Sequence, residues 1–296
     1  MREVCVLMSS YNGAPFIREQ IDSIIGQKEV GVKLIVRDDG SKDNTIDILK
    51  EYSNKGLLEY VAGKNVGYVR SFFELLKAAP ACDYYAFSDQ DDIWQENKLI
   101  TAVSSLKKMN GKNRLYCSNL DVYVDGRVLG QMRPLDISTN EYECLNRSIC
   151  TGCTMVFDND LKELVLENLP DTKVIPVHDL WIFHTAIYLG SLFYDKRSLI
   201  KYRQHGSNQI GAKFSKKIRF QKKLRSLKNL PEQHFKEIEA KLLLEKYSQY
   251  LTEEQIKIIS KVACYKTSYY NKLILLFDKR YRTDIWDKVR ILLGVY

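Results

Sequence analysis

Short apolar runs alternate with helical stripes along the first third of the chain. Val4-Cys5-Val6-Leu7-Met8 is apolar at every position and is bounded by Ser9-Ser10 and Asn12-Gly13, the pattern of a buried strand. Pro15 to Gln27 then places Phe16, Ile17, Ile21, Ile24 and Ile25 at helical spacing. The same reading predicts strands at Val32–Val36, Leu57–Val61 and Tyr84–Phe87. It predicts helices at Asp43–Tyr52, capped by Ser41 or Asp43, and at Ser71–Ala79. Strands alternating with helices imply an α/β fold, with a mostly parallel sheet covered by helices on both faces.

The pattern changes after Trp94. Lys98 to Met109 reads as a helix; Leu115–Ser118, Val122–Val124 and Val128–Leu129 read as strands, with Asp125-Gly126 a hairpin signal. Thr154–Phe157 predicts a strand followed by a helix to about Asn168. Asp179–Tyr188 predicts a helix, and Leu192–Tyr202 a hairpin turning near Asp195-Lys196-Arg197. From Lys213 onward the chain reads as helical, broken at Pro231.

Composition narrows the class. The 296 residues are 45% hydrophobic and 28% charged, enough for a sizeable core and against wholesale disorder. No apolar run reaches the roughly 18 residues needed to span a bilayer. The N-terminus enters a strand-like stretch at once, without the apolar region of a signal peptide, so a cytoplasmic protein is expected. The seven cysteines are scattered and odd in number, which suits free thiols in a reducing compartment. Cys150 and Cys153 form a lone CxxC with no second pair, so buried thiols are expected there rather than zinc. The net charge of +8 equals the excess between Lys213 and Lys228, where eight basic residues meet no acid. The rest is near neutral, which argues against nucleic-acid binding.

In parallel sheets, ligands bind beyond the carboxyl ends of the strands. This brings together the loops Ser9–Gly13, Arg37–Asn44 and Ser88–Trp94, two of them rich in acids. Asp89, Asp91 and Asp92 repel one another, and a hard divalent cation would relieve that repulsion. A solvated acidic turn fits the same residues about equally well. Asp39, after the second strand, suits a ribose hydroxyl or a base N–H, whereas helix capping accounts only for the neighbouring Gly40 and Ser41.

Four segments in order complete a resemblance: Leu7-Met8-Ser9-Ser10-Tyr11-Asn12-Gly13, Asp38-Asp39-Gly40-Ser41-Lys42-Asp43-Asn44-Thr45, Asn65-Val66-Gly67 and Ser88-Asp89-Gln90-Asp91-Asp92-Ile93-Trp94. Over about residues 3–210 the chain resembles glycosyltransferase family 2, and the Asp-Gln-Asp-Asp-Ile-Trp form is similar to bacterial rhamnosyltransferase-like members. The resemblance implies a GT-A fold over 1–210, with a nucleotide-binding half to about 98 and an acceptor half beyond it. A basic helical extension would occupy 211–296. It implies inverting transfer of a sugar from a UDP- or dTDP-sugar to a saccharide acceptor, with Mn2+ or Mg2+. The acceptor would belong to surface-polysaccharide synthesis and would be lipid-linked.

By match to the family's motifs, Ser10, Tyr11, Asp39, Asn65, Arg70 and Asp89 would bind the donor. Asp91, Asp89 and His205 would hold the metal. Asp179, in Val177-His178-Asp179-Leu180-Trp181, would be the catalytic base; an N-cap aspartate fits the same position. Gly152, Cys153 and Trp181 would lie by the acceptor, although a tight turn also explains Gly152. The Lys213–Lys228 stretch interleaves Phe214, Ile218, Phe220, Leu224 and Leu227, which suits either an anionic membrane surface or packing on the domain. A sugar-phosphate nucleotidyltransferase is the rival enzyme, but its glycine-rich basic phosphate loop is absent from Ser9–Gly13. A nucleotide-sugar-binding protein without catalysis is the rival outside enzymes, and the intact acids oppose it.

Overall fold

A computed structural model describes residues 3–133, 137–205 and 235–296. The Lys213–Lys228 stretch and Pro231 lie outside the described residues. The strands are β1 (Glu3–Ser10), β2 (Gly31–Asp38), β3 (Glu59–Ala62), β4 (Tyr84–Ser88), β5 (Ile93–Trp94), β6 (Arg114–Val124), β7 (Arg127–Gln131), β8 (Val156–Asp158) and β9 (Ser191–Arg203). They form one sheet in the order β3-β2-β1-β4-β8-β6-β9-β5, with β7 on β6. The pairs among β1 to β4 are parallel, while β8 is antiparallel to both β4 and β6.

The central strands β1 and β4 are buried on both faces, as their unbroken apolar runs require, whereas the edge strand β3 is largely exposed. Val4, Val6 and Met8 of β1 point into one cluster, with Ile17, Ile21 and Ile24 of α1 (Ile17–Ile25) and Ile48 and Leu49 of α2 (Thr45–Asn54). Leu99, Val103 and Leu106 of α4 (Lys98–Lys108) complete that face. Cys5 and Leu7 alternate into the other cluster, against Phe72, Phe73 and Leu76 of α3 (Tyr68–Ala78). Short helices α5 (Glu141–Asn146) and α6 (Asn159–Glu167) and the longer α7 (His178–Leu189) also lie on this face.

The C-terminal helices are α8 (Phe235–Tyr247), α9 (Glu253–Ala263), α10 (Tyr269–Phe277) and α11 (Ile285–Leu293). They share the second cluster rather than standing apart: Ala240, Leu243, Tyr247 and Ile258 pack with Trp181, Ile182 and Phe183. Buried polar contacts lock the join. His184 Nδ1 lies 2.8 Å from Glu239 Oε1, and the Asn146 side-chain amide donates to the Tyr281 carbonyl at 2.6 Å.

Several expectations need correction. Leu192–Tyr202 is not a hairpin but part of the single strand β9. Asp195 faces Ser118 while Ser198 faces Asn119, so Lys196 and Arg197 bulge out of the pairing. The Asp195 carboxylate accepts from Arg197 N at 3.0 Å and from Tyr116 Oη at 3.0 Å, so the turn-forming aspartate stabilises the bulge. Leu115–Ser118 and Val122–Val124 are one strand, β6, because Asn119 to Asp121 keep pairing with β9. Helix α2 starts at Thr45, whose amide donates to Asp43 Oδ1 at 3.1 Å, so Asp43 serves the helix start as expected while Ser41 does not. Ser41 Oγ accepts from Asn12 N at 2.8 Å, and Asp43 Oδ2 accepts from Ala14 N at 3.1 Å, so both tie two loops together. The expected strand start at Thr154 is a short 3-10 turn, Gly152–Thr154. Cys117 and Cys150 form a disulfide, with Cα atoms 5.8 Å apart, where free thiols were expected; β6 and the loop before Gly152 bring them together across 33 positions.

Candidate active site

The parallel strands end at Ser10, Asp38 and Ser88, and their loops meet there. Gln90 fastens the first loop to the third: its Oε1 accepts from Tyr11 N at 2.9 Å, and its Nε2 donates to Tyr11 O at 3.0 Å. A Cβ on Gly13 would meet that Gln90 amide, so a larger residue there would push the amide off Tyr11. The doubled aspartate divides its work. Asp38 is fully buried and staples its own loop, accepting from Ser41 N at 2.8 Å and Ser10 Oγ at 3.1 Å. Asp39 turns toward the cavity, accepting from Val66 N at 2.8 Å and Gly67 N at 2.9 Å, with Arg37 Nη1 at 2.6 Å. Gly67 sits at φ 83°, which lets consecutive amides point at one carboxylate.

The cavity these loops enclose has a volume of about 650 Å³. One side carries Ser10, Tyr11, Asp39 and Asn65; the floor carries Asp89 and Asp91; the far side carries Thr151, Gly152, His178 and Asp179. The acids shape its electrostatics. Burial, and then the charges of Asp91 and Asp179, push Asp89 up to about 7. Asp92 is fully buried and raised well above the usual carboxylate range by burial and by Asp89 and Asp91. Among the described residues, one of its oxygens, Oδ2, has no hydrogen-bond partner. Ligand atoms of Asp89, Asp92 and Cys153 lie within 4.8 Å of one another. The crowded carboxylates of Asp89 and Asp92 are hard oxygen donors that a divalent cation would relieve, whereas the Cys153 thiol, pushed up by burial, is a soft group that such a cation would not take. His205 is drawn to the same place, with Nε2 2.7 Å from Asp91 Oδ2 and its ring stacked on Phe16 at 4.4 Å. Arg203 fixes the end of β9 that delivers His205, since its Nε donates to the Asp91 carbonyl at 2.8 Å and its N donates to Asp92 Oδ1 at 3.2 Å.

Asp179 is the second residue of α7, whose N-cap is Val177, so it is not the cap itself. Its Oδ2 accepts from Gly152 N at 2.9 Å. Burial pushes its carboxyl up to about 6, although hydrogen bonds from the Gly152 and Leu180 amides pull the other way. A carboxylate with a pKa near the working pH is suited to accept a proton. His178 beside it is neutral, since burial lowers it to about 3, and its ring stacks on Phe72 at 4.1 Å.

Nine of the expected positions therefore meet around one cavity: Ser10, Tyr11, Asp39, Asn65, Asp89, Asp91, Gly152, Asp179 and His205. Three do not line it. Arg70 sits on α3, half-buried. Cys153 is buried beneath the floor beside Asp92. Trp181 is fully buried, stacked on Tyr247 at 5.3 Å, so its ring belongs to the core that joins α7 to α8. Sequence reasoning overlooked Gln90, Phe16 and His178. Gln90 and His178 stand inside motifs already singled out, so their position was the available signal; for Phe16 there was none beyond its place on an apolar helix face.

Among the described residues, no helix is long and apolar enough to cross a membrane. The model of the family described as "Glycosyl transferase family 2" matches residues 5–164, more than half of the chain. The chain is 31% identical over 228 residues to the dTDP-rhamnosyl transferase RfbG of Shigella flexneri, covering 73% of this chain and 77% of that protein. Among solved structures it is similar to S. aureus TarS 1-349 in complex with UDP-GlcNAc, with TM-score 0.57, 17% identity, and 99% and 93% of the two chains covered. It is also similar to the mannosyltransferase PcManGT from Pyrobaculum calidifontis in complex with GDP-Man and Mn2+, with TM-score 0.52, 15% identity, and 99% and 88% covered. These neighbours share the GT-A fold, and the family match takes in the cavity loops of the first half and Gly152, while Asp179 and His205 lie beyond it. The chain belongs to glycosyl transferase family 2 and is a glycosyltransferase.

Proposed function

We propose that this enzyme moves a sugar from a nucleoside-diphosphate sugar to a hydroxyl of a saccharide acceptor, with inversion at the anomeric carbon. The observation that carries the reading is the meeting of Asp39, the Asp89–Asp91 pair and Asp179 around one cavity. The donor is a UDP- or dTDP-sugar, and rhamnose is the favoured sugar, on the strength of the relative from Shigella flexneri. The acceptor is a lipid-linked unit of a surface polysaccharide, met at the cytoplasmic face of the membrane. The Lys213–Lys228 stretch would assist there by its charge.

Asp39 receives the base or ribose, with Tyr11 and Asn65 beside it. Asp89, Asp91 and His205 are the residues that would hold Mn2+ or Mg2+. When bound, the cation neutralises the diphosphate and makes it a better leaving group. Asp179 accepts the proton of the acceptor hydroxyl. That oxygen forms its bond to the anomeric carbon as the bond to the diphosphate breaks, and the electron pair leaves with the diphosphate. The Gly152 N–H holds Oδ2 of Asp179 and so fixes the orientation of the carboxylate that takes the proton.

The test is turnover. Purified enzyme is incubated with dTDP-rhamnose, UDP-glucose, UDP-GlcNAc or GDP-mannose, with and without manganese, and release of nucleoside diphosphate is followed. Metal-dependent release from one donor supports the reading. Donor binding without release from any of them would favour a nucleotide-sugar-binding protein, and formation of a nucleotide sugar from a sugar phosphate would favour a nucleotidyltransferase.

A further inference from the structure

Helices α10 and α11 each bury one edge and present an apolar face outward. In α10 the buried residues are Leu275 and Leu276, whereas Tyr270, Leu273 and Phe277 recur at helical spacing on the opposite side. In α11, Asp287 and Ile291 face inward, and Ile285, Val289, Leu292 and Leu293 recur on the other side. Tyr269, Tyr270, Phe277, Ile285, Leu292 and Leu293 are between 57% and 78% exposed. Lys272 Nζ donates to the Leu292 carbonyl at 3.0 Å, so the two helices lie side by side. A helix in a water-soluble surface normally turns charge outward; these turn it sideways.

The flanking charge is mostly basic. Between Lys266 and Arg290 the chain carries seven basic residues and three acids. All three acids are engaged at home. Asp278 pairs with Arg280 at 2.7 Å, Asp284 accepts from the first amides of α11, and Asp287 pairs with Lys236 at 3.2 Å. Lys279 and Lys288 remain around the apolar face, with Lys272 at the join of the two helices, while Arg282 pairs with Glu143. Apolar side chains rimmed by lysine and arginine match a bilayer with anionic headgroups, whose acyl boundary takes the first and whose phosphates attract the second.

We infer that the α10–α11 face docks the enzyme on an anionic membrane surface. The inference does not depend on the transfer chemistry, and it differs from the expectation placed on Lys213–Lys228, a basic stretch with apolar residues of its own that lies elsewhere in the chain. The docking is interfacial and reversible, with the side chains of Phe277, Ile285, Leu292 and Leu293 entering the headgroup region.

Co-sedimentation with vesicles of phosphatidylcholine alone, or mixed with phosphatidylglycerol, tests it on the full chain. Wild-type protein is expected to bind the mixed vesicles and to release as salt is raised. The variant Leu292→Ser/Leu293→Ser keeps every basic residue and alters only exposed side chains, so it should fold normally. It is expected to bind at least about tenfold more weakly. Lys279→Glu/Lys288→Glu is expected to weaken binding to the anionic vesicles by a similar factor. Unchanged binding of the leucine variant would overturn the inference and return the interaction to the basic stretch. So would absence of wild-type binding to any vesicle, or a wild-type dimer in sedimentation velocity that the leucine variant dissolves, since the face would then meet a second copy. Donor turnover of the soluble variants should match wild type, which separates failure here from failure of the transferase reading.

Discussion

His205 Nε2 lies 2.7 Å from Asp91 Oδ2, joining two residues 114 positions apart. The contact places an imidazole against one carboxylate of the acidic floor, where Asp89 is already pushed up to about 7 by burial and its acidic neighbours. Asp91→Asn should therefore abolish the gain in nucleoside-diphosphate affinity that manganese confers. His205→Ala should weaken manganese binding by about 10–100-fold. Calorimetric titration with and without the metal reads both, and a full metal-dependent gain in the Asp91 variant would remove that residue from the ligand set.

Asp179 separates an enzyme from a binding protein. Asp179→Asn keeps the shape and an acceptor oxygen for the Gly152 N–H, but cannot take a proton. Transfer should fall by ~10²–10⁴-fold, the usual contribution of a general base. Donor affinity and melting temperature should stay close to wild type. Near-normal turnover in a stable, donor-binding variant would leave Asp179 as a helix-start residue only.

The acid limb of the pH profile follows from the same carboxyl. Its pKa is raised to about 6, so it is protonated and inactive as a base below that pH and ionised above it. At saturating metal, kcat/KM should rise with pH through about 6 and then level off. A profile flat down to pH 5 would mean that no group titrating near 6 controls the step.

Stability rests partly on the opposite end of the sheet. Asp158, almost fully buried, accepts from Arg114 Nε at 2.8 Å and caps α6 by accepting from Leu161 N at 3.0 Å. Asp158→Ala removes the cap and strands the Arg114 charge, which is itself partly exposed. The expected loss is about 2–3 kcal/mol in urea unfolding. Activity per folded molecule should be unchanged, because Asp158 pairs with Tyr84 at the end of β4 remote from the cavity. A loss under about 0.5 kcal/mol would show the pair to be solvated.

The Cys117–Cys150 pairing is open to direct counting. Unfolded, unreduced protein should show five reactive thiols, and reduced protein all seven. Seven thiols before reduction would mean the two sulfurs sit together without a bond.

The local pattern of the chain determined the alternating strands and helices of the first half, because unbroken apolar runs and helical stripes are properties of neighbouring residues. It also determined the acidic loops, since Asp39, Asp89 and Asp91 stand directly after their strands. The motifs that resemble the family pointed to Asp179 and His205 as well. Tertiary structure decided what required distant partners. The bulge at Asp195 depends on Tyr116 and the pairing of β6, so its turn-like residues misled a local reading. Trp181 sits in the core because α8 offers Tyr247 to cover it, and no residue near it in sequence announces that. Which of two adjacent aspartates faces the cavity was settled by the Val66 and Gly67 amides, 27 and 28 positions away. Burial, which raises Asp89 and Asp179 toward neutrality, is likewise a product of packing: a carboxyl group acquires its pKa from what surrounds it in space, not from its neighbours along the chain.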